Sequence, residues 1–311
     1  MIRKSALIVG LLAVALMEAS ACTIPVFRYA LNNWPGDQYE LRAGAVQLPT
    51  NAVANLVVTP GKDGPARLLL GQHEIWSGTL TKETLAAILD SPVRREVVKR
   101  IVHGDAAVWV LVESGNASAD AAALRTLTDR LKYLQSVIQL PEQDPNDPSS
   151  QLGPGPALAA RFSVVSLSRK DPREAFTLAM LERSPEKTPT AFPVFGRGRV
   201  LAVLPQKDLT PENIEDVSAF LIGECSCQIK AAHMGWDLLV NCNWDEELER
   251  VDEERRAVPM PTAQAEMKPE TVMIEGQTAE KKLSSREMLL LAFVPLVLAG
   301  IIGIICSKRQ A

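Results

Sequence analysis

The sequence predicts an α/β protein with two small mixed domains and one transmembrane helix towards its C-terminus. Short apolar runs of strand length alternate with helix-like stretches, an order typical of open α/β layers. A proline-rich segment at 141–157 separates two such stretches, 23–140 and 158–245, which we interpret as a first and a second domain. An uncharged run of 19 residues at 288–306 supplies the transmembrane helix.

The N-terminal residues have the pattern of an export signal. Two basic residues precede an apolar run at 6–17, and small residues follow at 19–21. Twelve residues are too few to cross a bilayer core of about 30 Å, so we interpret 1–21 as a secretory signal peptide that is cleaved before Cys22. Two alternatives stay open: Cys22 is a lipidation site, or the segment is an uncleaved anchor.

The run at 288–306 is long enough to span a membrane as a helix, at about 1.5 Å per residue. Basic residues flank both of its ends, so charge alone does not set its orientation. The export signal does, and it predicts a single-pass protein whose body lies outside the cytoplasm. The polar stretch at 246–286 is then a spacer between body and membrane, with a short charged helix at its start.

In the first domain, capping residues and apolar spacing predict where helices begin and end. Thr81 and Ser91 suit the caps of two successive helices, and Pro92 suits the first position of the second one. Valines and an isoleucine at 93, 97 and 101 then share one helix face. The remaining predicted elements are strands at 66–70 and 74–77, a fully buried strand at 107–112, and a long helix at 119–138.

The second domain repeats this style, with a strand at 161–168 and helices that begin near 171 and 210. A hairpin is expected at 191–204, turning at 196–198, with both of its arginines, Arg197 and Arg199, facing solvent. A last hairpin is expected between 225–230 and 236–243. The order β-α-β-β-α resembles the second half of a thioredoxin-like fold, in which Pro193 would precede the hairpin.

The cysteines at 225, 227 and 242 are the sharpest local signal in the body. In the predicted last hairpin Cys225 stands opposite Cys242, at a cross-strand separation that suits a disulfide. A structural Cys225–Cys242 bond is therefore one interpretation, with Cys227 as an alternative partner. A Cys225/Cys227 redox pair and a soft-metal site of three thiolates, with or without His233, are two further interpretations. The last is that the thiols are free and inert. A helix C-terminus precedes the pair, which does not favour thiolates.

Other features limit the functions that the sequence supports. The net charge is -4 with mixed signs, so nucleic acid is not an expected partner. The turn at 115–118 lies where a helix N-terminus can bind an anion, but it lacks a phosphate-loop pattern, so we predict an ordinary turn. We find no catalytic triad, zinc-protease motif or paired-carboxylate site. These observations favour a non-enzyme and predict no cofactor.

The chain resembles an uncharacterised family of exported, membrane-anchored bacterial proteins. The segments that carry the resemblance are CTIPVFRYALNNWPGDQYE at 22–40, SPVRREVVKRIVHGDAAVWVLVESG at 91–115, FPVFGRGRVL at 192–201 and GECSCQIK at 223–230. The resemblance implies a place in the bacterial cytoplasmic membrane, but no activity. We therefore expect an accessory or interaction protein with a membrane-protein partner; the alternative is a thiol-redox or metal-handling protein that uses the three cysteines.

Overall fold

Two sheets and seven α-helices form the part of the chain that the computed structural model describes, residues 23–61, 64–143, 146–181, 187–224 and 235–257. The helices are α1 (Val26–Asn33), α2 (Lys82–Leu89), α3 (Pro92–Val102), α4 (Ala117–Val137), α5 (Ala175–Leu181), α6 (Pro211–Ile222) and α7 (Trp244–Ala257). The strands are β1 (Tyr39–Ala43), β2 (Leu56–Pro60), β3 (Ala66–Leu70), β4 (His73–Gly78), β5 (Ala107–Val112), β6 (Phe162–Leu167), β7 (Thr190–Phe195), β8 (Arg199–Val200), β9 (Leu204–Pro205) and β10 (Trp236–Asp237). The protein is therefore mixed α/β, as the sequence predicts.

The smaller sheet has the order β2-β1-β3-β4, and the larger has the order β10-β8-β7-β5-β6, with β9 beside β7. In the larger sheet β5 and β6 run parallel, whereas β7 is antiparallel to β5. The parallel pair is connected through α4, the long connection that parallel strands require. From β5 to α6 the elements thus follow in the order β5, α4, β6, α5, β7, β8, β9 and α6.

Strand β5 lies at the centre of the body and is buried on both faces. All six of its residues are buried, as its unbroken apolar sequence predicts. Its even-numbered side chains join a core with the smaller sheet, α3 and α5, whereas its odd-numbered side chains join a second core with α1, α4 and α6. One strand therefore contributes to both hydrophobic cores.

The segment at 141–157 does not separate two sheets, because β5 precedes it and both neighbours of β5 follow it. All of the described residues belong to one compact unit. The segment also packs against α1, where the buried Arg28 donates hydrogen bonds to the carbonyls of Gly153 and Pro156, at 2.8 and 2.9 Å. Prolines indicate where regular structure stops, but they carry no information about which strands pair across the break.

Local predictions of helix starts are confirmed. The Thr81 hydroxyl accepts a hydrogen bond from the backbone N–H of Thr84, and Ser91 accepts one from Arg94, so both act as N-caps. Thr210 caps α6 in the same way. The apolar positions 93, 97 and 101 of α3 are all buried. These elements are predictable because each signal lies within a few residues of the helix end that it determines.

The hairpin turn at 196–198 is confirmed, with positive φ at both glycines, but the prediction that its arginines face solvent is wrong. Arg199 is 6% exposed and pairs with Asp237 at 3.2 Å and Asp37 at 3.4 Å. The two aspartates also accept hydrogen bonds from each other's backbone N–H groups. Arg197 reaches the C-terminal carbonyls of α1. These partners lie far from the turn in sequence, so a local pattern does not reveal them.

Three further expectations are corrected. The stretch 236–243 forms only the two-residue strand β10, which pairs with β8. The start of the predicted spacer is α7, whose Trp244, Leu248 and Val251 pack into a core. Pro193 lies inside β7, opposite Trp109 of β5, rather than before the strand. In each case a distant neighbour determines the structure of the segment.

No helix of the described residues is both long and apolar enough to cross a membrane. The predicted transmembrane run at 288–306, the signal peptide at 1–21 and most of the spacer lie outside the described residues. They stay predictions.

Replacing Arg28 by methionine is expected to lower the free energy of unfolding by about 2 to 4 kcal/mol, because carbonyls of the 153–156 segment lose charged donors. Urea denaturation of the full chain in detergent, followed by tryptophan fluorescence, measures this. The matched control is Arg125→Met on the exposed side of α4, with an expected change within about 0.5 kcal/mol. Equal stability of the two variants would show that Arg28 does not hold the segment.

Candidate functional site

A groove of about 820 Å³ lies between α3 and α7. We call it the α3–α7 groove. Its floor includes Val98 and Val102 of α3 and the segment 240–243, and its rims carry charged side chains of both helices. A smaller pocket of about 340 Å³ adjoins it and shares Val53, Val240, Cys242 and Asn243 with it.

The buried guanidinium of Arg94 holds three parts of the groove together. It donates hydrogen bonds to the carbonyls of Ala87 and Ile88 at the end of α2, at 2.8 Å each, and to the carbonyl of Leu239 at 2.7 Å. Its Nε donates to Ser91. Burial lowers the pKa of Arg94 to about 10, so it stays charged at neutral pH. Arg94 thereby joins α2, α3 and Leu239, the residue directly before the floor segment, through charge-assisted hydrogen bonds.

The N-terminus of α3 is held from the opposite side by α5 and the turn before it. The buried carboxylate of Glu174 accepts a hydrogen bond from the backbone N–H of Val93 at 2.7 Å, and a carboxylate is favourable at this end of a helix. The Ser91 hydroxyl lies 2.9 Å from that of Thr177. The helix that forms one wall of the groove is therefore fixed at its base.

The floor segment is attached to the loop before β2 by asparagine side chains. Asn55 donates to the carbonyl of Leu238 and accepts from the N–H of Val240, at 3.1 and 2.8 Å. In return, Asn241 accepts from the N–H of Val53 at 2.8 Å. The floor thus has a defined backbone although it is not a regular strand, because side-chain amides satisfy the groups that a sheet ladder would otherwise pair.

Cys242 lies in the floor segment, where it lines both cavities, and is a free, half-buried thiol. Burial, together with the nearby Glu247 carboxylate, raises its pKa to about 12. A thiol must ionise to act as a nucleophile or a metal ligand. Cys242 is therefore protonated at neutral pH and poorly suited to either role.

The rim of the groove on α3 carries a basic row, Arg95, Lys99 and His103, at intervals of four residues. Arg95 pairs with Asp90, and a hydrogen bond from Arg100 lowers the pKa of Glu96. Within the described ranges Lys99 forms no ion pair. We call Arg95, Lys99 and His103 the basic row.

The structure places one of the predicted site residues, Cys242, and the others lie outside the described residues. Cys22, Cys225, Cys227 and His233 are in this second group, so lipidation, disulfide pairing and metal binding by the cysteines stay predictions. Among the residues that are described, no cluster of three His, Cys, Asp or Glu side chains could hold a metal.

The turn at 115–118 is an ordinary turn whose donors are already used. Asn116 caps α4, and the Asp120 carboxylate accepts the backbone N–H groups of Ser114 and Gly115, at 2.7 and 3.0 Å. Burial on its own would raise the pKa of Asp120, but hydrogen bonds from the Ser114 hydroxyl and from these two N–H groups outweigh it and lower the pKa. The turn therefore already holds an anionic group of the protein itself.

Comparison with protein-family models, curated proteins and solved structures finds no match to this chain. The resemblance to a family of exported bacterial proteins therefore stays a prediction, and the site rests on its own geometry.

Sequence reasoning missed the groove, although α3 carries a signal for it. The face of α3 with Val93 and Val97 is buried, but Val98 lies on a different face and is only partly buried. Basic side chains at 95, 99 and 103 accompany it. An apolar residue beside a row of basic residues gives α3 a second amphipathic face, and a helix wall of a binding groove needs such a face.

The Cys242 thiol is expected to react with iodoacetamide at least about 100-fold more slowly in the folded than in the urea-unfolded protein at pH 8. Since its pKa is about 12, its rate should rise about tenfold per pH unit between pH 7 and 10, without the plateau near 9 of an ordinary thiol. Peptide mass mapping measures labelling at this cysteine alone. Recovery of Cys242 in a disulfide, or a plateau near pH 9, contradicts this assignment.

Since folding raises the pKa of Cys242 above its ordinary value of 9.0, the effect on stability has a definite sign. The unfolded chain loses this proton first as the pH rises from 9 towards 12, so the contribution of Cys242 to stability is complete below pH 9 and falls above it. The variant Cys242→Ser should lose this dependence.

Arg94→Lys is expected to destabilise the protein by at least about 2 kcal/mol, because one ammonium cannot reach carbonyls at the end of α2 and on the groove floor together. It should also speed alkylation of Cys242, since the floor loses its bond at Leu239. Arg125→Lys on α4 is the control. Unchanged stability together with unchanged labelling would show that Arg94 does not anchor the groove.

Proposed function

We propose that this protein is a membrane-tethered extracytoplasmic accessory or interaction protein that binds a partner in the α3–α7 groove. The observation that carries the proposal is the groove itself. It has a volume of about 820 Å³, valines in its floor, charged side chains along its rims, and walls built on anchored elements. A concave apolar site with a few polar groups is the usual form of a binding site.

The β5–α6 segment supports a thioredoxin-like description of this unit. Its strand order, with β5 between a parallel β6 and an antiparallel β7, and with α4 and α6 against the same core, is compatible with that description. Redox thiols of this kind are activated at a helix N-terminus. In this chain α4 begins after Asn116 and α6 after Thr210, so neither begins at a cysteine.

The membrane tether is proposed from the sequence, through 288–306 and the spacer before it. It would hold the body outside the bacterial cytoplasmic membrane, within reach of membrane-protein partners. Because α7 is packed into the core, the spacer of this proposal begins after Ala257 rather than at 246.

The alternative, a thiol-redox or soft-metal protein built on the three cysteines, has less support. A metal site of three thiolates needs Cys242 as a thiolate, whereas burial raises the pKa of this thiol to about 12. A Cys225/Cys227 redox pair lies outside the described residues. No observation on the described residues favours it.

A photo-crosslinking residue in place of Lys99 tests the proposed function in intact membranes. We expect a discrete adduct with a partner at position 99, and none with the same residue in place of Lys132, on the exposed face of α4. Mass spectrometry of the adduct identifies the partner. Failure to crosslink from position 99 and from other rim positions, or equal adducts from positions 99 and 132, would show that the groove is not the binding site.

A further inference from the structure

The elements that line the α3–α7 groove exclude two common modes of peptide recognition. Addition of a strand requires an unpaired sheet edge, but none of the lining residues belongs to a described strand. The backbone of the floor is occupied as well, since Asn55 accepts the N–H of Val240 and Asn241 pairs with Ala54. Proline-rich peptides require aromatic walls, and the described lining contains no Phe, Tyr or Trp.

The remaining mode, a helix in a groove, fits the shape. The groove follows α3 from Pro92 to His103, and α7 contributes the opposite rim through Glu247 and Arg250. An α3 of 11 residues is about 16 Å long, which matches three turns of a docked helix. Two helices and an apolar floor between them offer the ridges and grooves into which a third helix packs.

The floor supplies apolar contacts for such a helix. Val98 is half-buried, and Val53 at the groove mouth is 49% exposed. Val240 and the protonated thiol of Cys242 lie between them along the lining. A partner helix with apolar residues at i, i+3, i+4 and i+7 would cover these groups.

The charges of the rims select the partner. Asp90 is paired with Arg95, Glu96 with Arg100, and Glu247 with Arg250. The acidic side chains of the rims therefore already have cationic partners. Arg95 is held in its pair with Asp90, whereas Lys99 lies outside the ion pairs of the described residues and leaves the row with an excess positive charge. An anionic flank on the docked helix would complement this row.

We infer that the α3–α7 groove binds an acidic amphipathic helix of a partner protein, with its apolar face on Val98 and Val240 and its carboxylates along the basic row. The inference rests on the proposed function and specifies the chemistry of the partner at the same site. The apolar face of the docked helix would pack against the floor, and its charged flank would determine the orientation in which it binds.

Three synthetic peptides test the inference on the full chain in nanodiscs of uncharged lipid. The first has an apolar stripe flanked by glutamates, the second the same stripe flanked by lysines, and the third the composition of the first with a scrambled order. Fluorescence anisotropy should show the glutamate helix binding at least tenfold more tightly than either of the others. Arg95→Glu combined with Lys99→Glu should reverse the preference between the charged peptides, whereas Lys132→Glu should leave it unchanged.

Equal binding of all three peptides, or an unchanged preference after the charge reversal, would overturn the inference. A lipid role for the basic row would overturn it too. In that case the glutamate helix does not bind, the chain sediments with anionic vesicles, and the charge reversal in the basic row abolishes this sedimentation. Crosslinking from Lys99 separates the two proposals. An adduct with a segment that is not an acidic helix refutes the inference alone, and failure to crosslink from the rims refutes the proposed function.

Discussion

The structure depends on the need to cover both faces of β5. This strand is apolar at all six positions and fully buried, so something must pack on each of its faces. On one face lie α1, α4 and α6, and on the other lie α3, α5 and the smaller sheet. Most elements of the body thus take their positions from packing against one strand. The smaller sheet is one of them, since it covers one face of β5.

Buried arginines hold together segments that the chain separates. Arg28 connects α1 to the 153–156 segment, Arg94 connects α2 to the groove floor, and Arg199 connects Asp37 to Asp237. Arg28 and Arg94 bond mainly to backbone carbonyls. A guanidinium suits this task because its donors form a rigid fork that reaches several acceptors at once. Burying a charge is costly, so these contacts restrict the fold to arrangements that supply all of the acceptors.

The same contacts explain the character of the candidate site. The α3–α7 groove is anchored at its base by Arg94 and Glu174, and its floor is attached by Asn55, so its walls are preorganised. Preorganised walls reduce the ordering that a partner must impose on binding. Cys242 lies in this floor as a protonated, half-buried group. The burial of this one thiol suits packing against a partner better than exchange chemistry.

The sequence by itself determined the local elements: the caps at Thr81, Ser91 and Thr210, the buried β5 and the turn at 196–198. Each rests on neighbouring residues and on preferences that act within a few positions. Only the tertiary structure decided that both sides of the 141–157 segment share one sheet, that Arg199 is buried, and that α3 and α7 border a groove. Those outcomes depend on contacts between residues far apart in the chain, and a local sequence pattern does not indicate which distant residue a given residue will contact.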